Sequence, residues 1–149
     1  MNILQILKFT QCLAPTPKDN GDFAGNGAVD TRGLKELAFL IQTGDLAAAV
    51  GSTAEGSAVK IEECDTVDGD YTDVTDAALA DAIAGTEDNS LFYIVVDLKK
   101  SHKRFMRVNA PHAGNGSAVD SLLAIVALGV PDLMPIDADG MGVTELILP

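Results

Sequence analysis

The chain has 149 residues, 47% hydrophobic and 21% charged, which is the length and balance of one folded domain rather than of a disordered or fibrous chain. No apolar run reaches the roughly 18–20 residues of a membrane-spanning helix. Nor does any basic residue precede the short apolar run at the start, so the chain is expected to be soluble, made inside the cell and free of membrane partners. Ten Lys and Arg against 22 Asp and Glu give a formal net charge of −12, which repels phosphate backbones and argues against nucleic acid as a partner.

Ile3 to Phe9 is apolar, with Gln5 and Lys8 interspersed, and reads as a first strand or a docking arm. Cys12 to Gly27 carries Pro15, Pro17, Asn20, Gly21 and Gly25, and reads as a long irregular segment. Asp30 to Gly33 is a turn, and Leu34 to Thr43 is an apolar strand. Leu46 to Val50 takes no assignment, and Gly51 to Gly56 is a loop. Val59 and Ile61 alternate with Lys60 and Glu62, the pattern of a half-buried strand. Asp65 to Asp70 is then a hairpin turn, with Tyr71 to Val74 as the partner strand.

Asp76 to Ala84 is the best helical candidate, with Thr75 as its N-cap and Gly85 as its stop. Leu91 to Leu98 is the clearest strand, with Phe92, Ile94, Val96 and Leu98 on one face. Lys99 to Lys103 reads as a tight connection, and Arg104 to Asn109 as a returning strand. After a loop from Pro111 to Gly116, Ala118 to Leu128 reads as a long apolar strand, buried on both faces or nearly so. Pro131, Pro135 and Asp137 to Gly140 break the tail before a last strand, Val143 to Leu148. Short strands between Gly, Asn, Asp and Pro predict an all-β sandwich or barrel. Residues 1–149 are read as a single domain, with residues 1–28 as an N-terminal arm.

No catalytic constellation is legible. Gly25-Asn26-Gly27 and Gly114-Asn115-Gly116 both lack the third glycine of a dinucleotide fingerprint, and no P-loop or nucleophile elbow occurs. His102 and His112 have no helical-spacing partner and read as surface or structural residues. Cys12 and Cys64 are widely spaced and read as reduced, buried side chains. Asp65, Asp68, Asp70 and Asp73 cluster without the spacing of a calcium loop; solvated turn residues are the expected reading, with weak cation binding as the alternative. The chain is therefore expected to be no enzyme and to hold no metal or cofactor.

Charge is spread unevenly. Lys99, Lys100, Lys103, Arg104 and Arg107 are half of the basic residues, whereas Glu62 to Asp88 carries ten of the 22 acidic ones and no basic one. Two readings fit: a contact site for an acidic patch on another copy or a partner, or a solvated hairpin whose lysines protect a sheet edge. Ile3, Leu4, Ile6 and Leu7 join the basic residues as candidate interaction residues, because a terminal segment can add a strand to a neighbour.

One order of motifs is familiar. Val29-Asp30-Thr31-Arg32-Gly33 precedes an apolar strand ending near Thr43-Gly44. Val59 to Asp65 leads through Asp68-Gly69-Asp70 to Tyr71-Thr72-Asp73-Val74. Phe92 to Leu98 leads into Lys103-Arg104-Phe105-Met106-Arg107-Val108. Over residues 29–128 this resembles the decoration or cement proteins of tailed-bacteriophage heads. The resemblance implies a jelly-roll-like antiparallel β-sandwich of about eight strands with at most one short helix. It implies a structural role on the capsid exterior of a virion, as a dimer or trimer, bracing the major capsid protein. The Ala- and Gly-rich middle, Leu46 to Ser57, departs from that pattern. The alternatives are another virion component, such as a head–tail connector or fibre-base protein, and a carbohydrate-binding sandwich. The last is disfavoured by the absence of Trp and by only two tyrosines, Tyr71 and Tyr93.

Overall fold

A computed structural model describes residues 6–19, 21–23, 27–51, 58–112, 121–133 and 138–144. In chain order it places β1 (Lys8–Lys18), β2 (Val29–Asp30), β3 (Leu34–Thr43), β4 (Lys60–Cys64), β5 (Thr72–Ala78), β6 (Leu91–Val96), β7 (Phe105–Asn109), β8 (Ser121–Pro131) and one helical turn, α1 (Ala138–Met141). The strands form two antiparallel sheets of four, ordered β1-β8-β3-β6 and β2-β7-β4-β5. β1 pairs with β8, β2 with β7, β3 with β6 and β4 with β5, like the two arms of one long hairpin rolled up. Every connection except β4–β5 crosses from one sheet to the other. This is the strand order of a jelly-roll sandwich.

The two-residue period explains the core. In β3, Leu37, Phe39, Ile41 and Thr43 point inward. Neighbouring strands continue the rows: Ala127, Phe39 and Ile94 lie side by side, as do Ile125, Ile41 and Phe92. The facing sheet contributes Ile61, Met106 and Val108. Burying each large apolar side chain contributes on the order of 1.5–3 kcal/mol. These rows hold the sandwich together.

Several expectations are corrected. The segment from Cys12 to Gly27 is not irregular throughout, because β1 runs to Lys18. Its prolines are tolerated because β1 is an edge strand, where a missing N–H faces away from the ladder. Register shifts between Gln11 and Leu13, and between Leu13 and Thr16, absorb the misfit. Residues 8–18 of the expected arm therefore belong to a sheet.

The helix expected over Asp76 to Ala84 does not form. β5 occupies its first turn, Ala77 is buried, and Ile83 forms an isolated bridge with Val50. A two-turn helix is marginal by itself, and pairing with β4 outweighs it. Asp76 sits in the β4–β5 register break with φ at 61°, a value incompatible with a helix interior. Lys99 to Lys103 is not a hairpin turn either, since β6 and β7 lie in different sheets. The β4–β5 hairpin does form, with Glu62 opposite Asp73 and Glu63 opposite Thr72. β8 is fully buried on one face only, and its other face is half-buried. Val143 and Thr144 are not strand, and the rest of the expected last strand lies outside the described residues.

The outer edge of β1 is covered. Gly27 and Gly142, both at positive φ, press against its backbone. A Cβ on Gly142 would overlap the Phe9 carbonyl oxygen, and one on Gly27 would stand 2.8 Å from the Cys12 backbone. Only glycine meets both demands at these positions.

Candidate interaction surface

The basic residues that cluster in sequence separate in the fold. Arg107 lies opposite Glu62 on adjacent strands, and its guanidinium donates to Glu62 Oε2 at 3.1 Å. The same guanidinium stands 3.9 Å from the Tyr71 ring centroid. Asn109 Nδ2 donates to Glu62 Oε1 at 2.6 Å. Arg104 pairs with Asp30 at 2.8 Å, and Arg32 closes on the same carboxylate at 2.9 Å. The Arg104 hydrogen bond, reinforced by Arg32, holds the Asp30 carboxyl well below the usual carboxylate range. Lys103 donates through its backbone N–H to Glu63 Oε2 and through Nζ to Thr72 Oγ1. Lys99 and Lys100 differ: both are exposed in the turn after β6, where Asp97 accepts their backbone N–H groups.

The two outer faces of the sandwich have opposite character. On the β2-β7-β4-β5 sheet, the Glu62–Arg107–Asn109 network and the Lys60–Asp73 ion pair at 2.8 Å make a charged surface whose ions pair with one another, with Asn109 Oδ1 left as a buried, unpartnered acceptor. On the β1-β8-β3-β6 sheet two consecutive outward rows are apolar apart from Gln11. One row runs Gln11, Val126, Leu40, Tyr93, and the next runs Phe9, Leu128, Ala38, Val95. Leu91, Tyr93 and Val95 are 62%, 68% and 62% exposed. Reading β6 from sequence identified the inward set, Phe92, Ile94, Val96 and, just past the strand, Leu98. The signal for the outward set was already there, since Leu91-Phe92-Tyr93-Ile94-Val95-Val96 is apolar at every position, so whichever face turns inward the other is apolar too. Of the apolar N-terminal candidates, Ile6 and Leu7 are half-buried just ahead of β1. Ile3 and Leu4 lie outside the described residues.

Against protein-family models, curated proteins and solved structures, the chain finds no match.

The titratable interior is structural. Ser121 and His112 are 0% and 2% exposed, and their side chains meet at 3.0 Å. Ser121 Oγ also accepts the backbone N–H groups of Ala47 at 3.1 Å and Ala48 at 3.3 Å. Both hydroxyl lone pairs are thereby used, so its one proton goes to His112 Nε2 and the imidazole is neutral. The Phe23 ring packs on it at 5.3 Å. The serine hydroxyl is committed to these contacts, and the Ser121 and His112 side chains are both shielded from solvent.

Burial pushes the His112 pKa below its ordinary value. In the window just below 6.5 the unfolded chain takes up a proton that the folded chain refuses. Stability is therefore full above about pH 6.5 and falls as the pH drops through that window. The Asp30 contribution is lost only below about pH 4. Urea midpoints measured from pH 7.5 to 5 should decline in wild type and stay nearly flat in His112→Gln.

A cleft of about 300 Å³ lies between β5 and β6, lined among others by Glu63, Asp73, Asp97, Lys100 and His102. In it, His102 Nδ1 is engaged with the Lys100 carbonyl. Among the described residues, no group of three or more His, Cys, Asp or Glu is placed to hold a metal ion. Cys12 and Cys64 are free and buried, and burial pushes the Cys12 thiol up to about 11. No helix among the described residues is long and apolar enough to cross a membrane.

Proposed function

We propose that this protein is a structural virion component that binds the outside of a bacteriophage capsid and stabilises the major capsid protein lattice. One observation carries the reading: the outer face of the β1-β8-β3-β6 sheet has two consecutive rows that are apolar apart from Gln11, while the opposite face pairs its own charges. A face of that kind is a protein-contact surface. Its rigid strands hold the contact rows in place without any moving part, as bracing a lattice requires. The charged face and the net charge of −12 keep the exterior soluble and limit nonspecific contacts. The role needs no turnover, cofactor or nucleic acid. Self-association as an oligomer belongs to the same reading.

Purified protein added to heads that lack it should co-sediment with them and saturate at a fixed ratio to the major capsid protein. The contact is apolar, so the binding should survive raised salt better than a charge-driven contact would. Absence of binding to intact heads would overturn the proposal.

A further inference from the structure

The four sheet edges are not alike. Native edge strands are protected by shortness, bulges, proline or charge. β2 has two residues. β5 is broken in register and exposes Asp73 and Asp76. β1 has two register shifts, Pro15 and Pro17, and a backbone covered by Gly27 and Gly142. β6 has none of these devices. From Leu91 to Val96 it pairs with β3 in unbroken register, without a proline or a charge. Among the described residues no strand lies on its far side. We propose that a second copy of this chain covers that edge, β6 against β6, antiparallel about a twofold axis through Tyr93.

The strand is self-complementary in that register. Side chains of one face stay together only when the pairing keeps the two-residue period. The axis through Tyr93 does so, setting Tyr93 opposite Tyr93 and Leu91 opposite Val95. The charges at the two ends agree. Glu87 and Asp88 precede β6, and Lys99 and Lys100 follow it. An antiparallel copy brings the turn carrying Lys99 and Lys100 to the same end as the turn carrying Glu87 and Asp88 of its mate, whereas a parallel copy would set like charges together. This gives a role to Lys99 and Lys100, which make no ion pair among the described residues. It also enlarges the contact surface. Taking strands about 4.8 Å apart and residues about 3.3 Å apart, one outer face covers on the order of 300 Å². The joined sheet presents both faces on one side, on the order of 600 Å², approaching the ~800 Å² per partner of a stable interface. The proposal rests on the oligomeric part of the reading above and not on capsid binding.

Sedimentation equilibrium should give twice the 15.5 kDa chain mass for the wild type. Tyr93→Lys/Val95→Lys should sediment as a monomer with an unchanged circular dichroism spectrum, since both side chains are exposed. Lys99→Glu/Lys100→Glu should weaken the dimer about tenfold at low salt, with a smaller loss at high salt. Tyr93→Cys alone should oxidise to a covalent dimer, because the two new thiols face each other across the axis. Val67→Cys, exposed in the β4–β5 loop, should not. A wild-type monomer, a trimer, a dimer that survives the lysine pair, or equal cross-linking at both cysteines would each overturn the proposal. Head binding is scored separately. A dimer that ignores heads rejects the capsid reading alone, and a monomer that binds them rejects the β6 pairing alone.

Discussion

Phe39→Ala should destabilise the fold by about 3–5 kcal/mol. Phe39 has no solvent exposure and lies mid-row between Ala127 and Ile94. Ala127 is too small to fill the void from one side, and the backbone ladders of β8 and β6 keep the strands from closing on it. The neighbouring substitution, Leu40→Ala, should cost only about 1 kcal/mol. Leu40 belongs to the outward row with Val126 and Tyr93 and is half-buried. Urea unfolding of the two variants checks the pair. Equal losses would mean that the outward face is as well packed as the inward one, and would remove the surface on which the functional reading stands.

The second large effect is asymmetric. Arg107→Met should cost about 3 kcal/mol, whereas Glu62→Gln should cost about 1 kcal/mol. The Glu62 side chain is 10% exposed and that of Arg107 is 28%. Removing the arginine strands a carboxylate that water barely reaches, with Asn109 Nδ2 as its remaining side-chain donor. Removing the carboxylate charge leaves a guanidinium that still rests on the Tyr71 ring and reaches solvent. Chemical denaturation of both variants decides this. If the glutamate change proves the costlier, the network is held by something other than burial of the carboxylate.

These results bear on what the sequence discloses. β4 and β7 were legible because apolar and polar residues alternate in them, and β3 and β6 because each is a short apolar run bounded by turn residues. β1 was hidden by Pro15 and Pro17, which read as breaks unless the strand is known to be an edge. The start of β5 was legible as the hairpin partner of β4, but its second half was hidden by Ala- and Asp-rich chemistry that favours a short helix locally, and only its pairing with β4 overrules that preference. Ion-pair partners were invisible for a different reason. Asp30 and Arg104 are 74 positions apart, and Glu62 and Arg107 are 45 apart. A cluster of basic residues in the chain therefore looked like one surface. Sheet crossing between β6 and β7 sends Arg104 and Arg107 to partners and leaves Lys99 and Lys100 outside. The apolar outer face needed the topology as well. Only the order β1-β8-β3-β6 aligns Val126, Leu40 and Tyr93 in one row.

The central claim is that this row is a docking surface, and one comparison tests it most directly. Val126→Glu places a charge on β8, two strands in from the β6 edge, so it alters the face and spares the edge. Wild type and variant would be titrated onto heads lacking the protein, and the co-sedimenting fraction measured. The account predicts saturable binding of wild type at a fixed ratio, and loss of binding by a variant that still folds and still dimerises. Undiminished binding of Val126→Glu would contradict it.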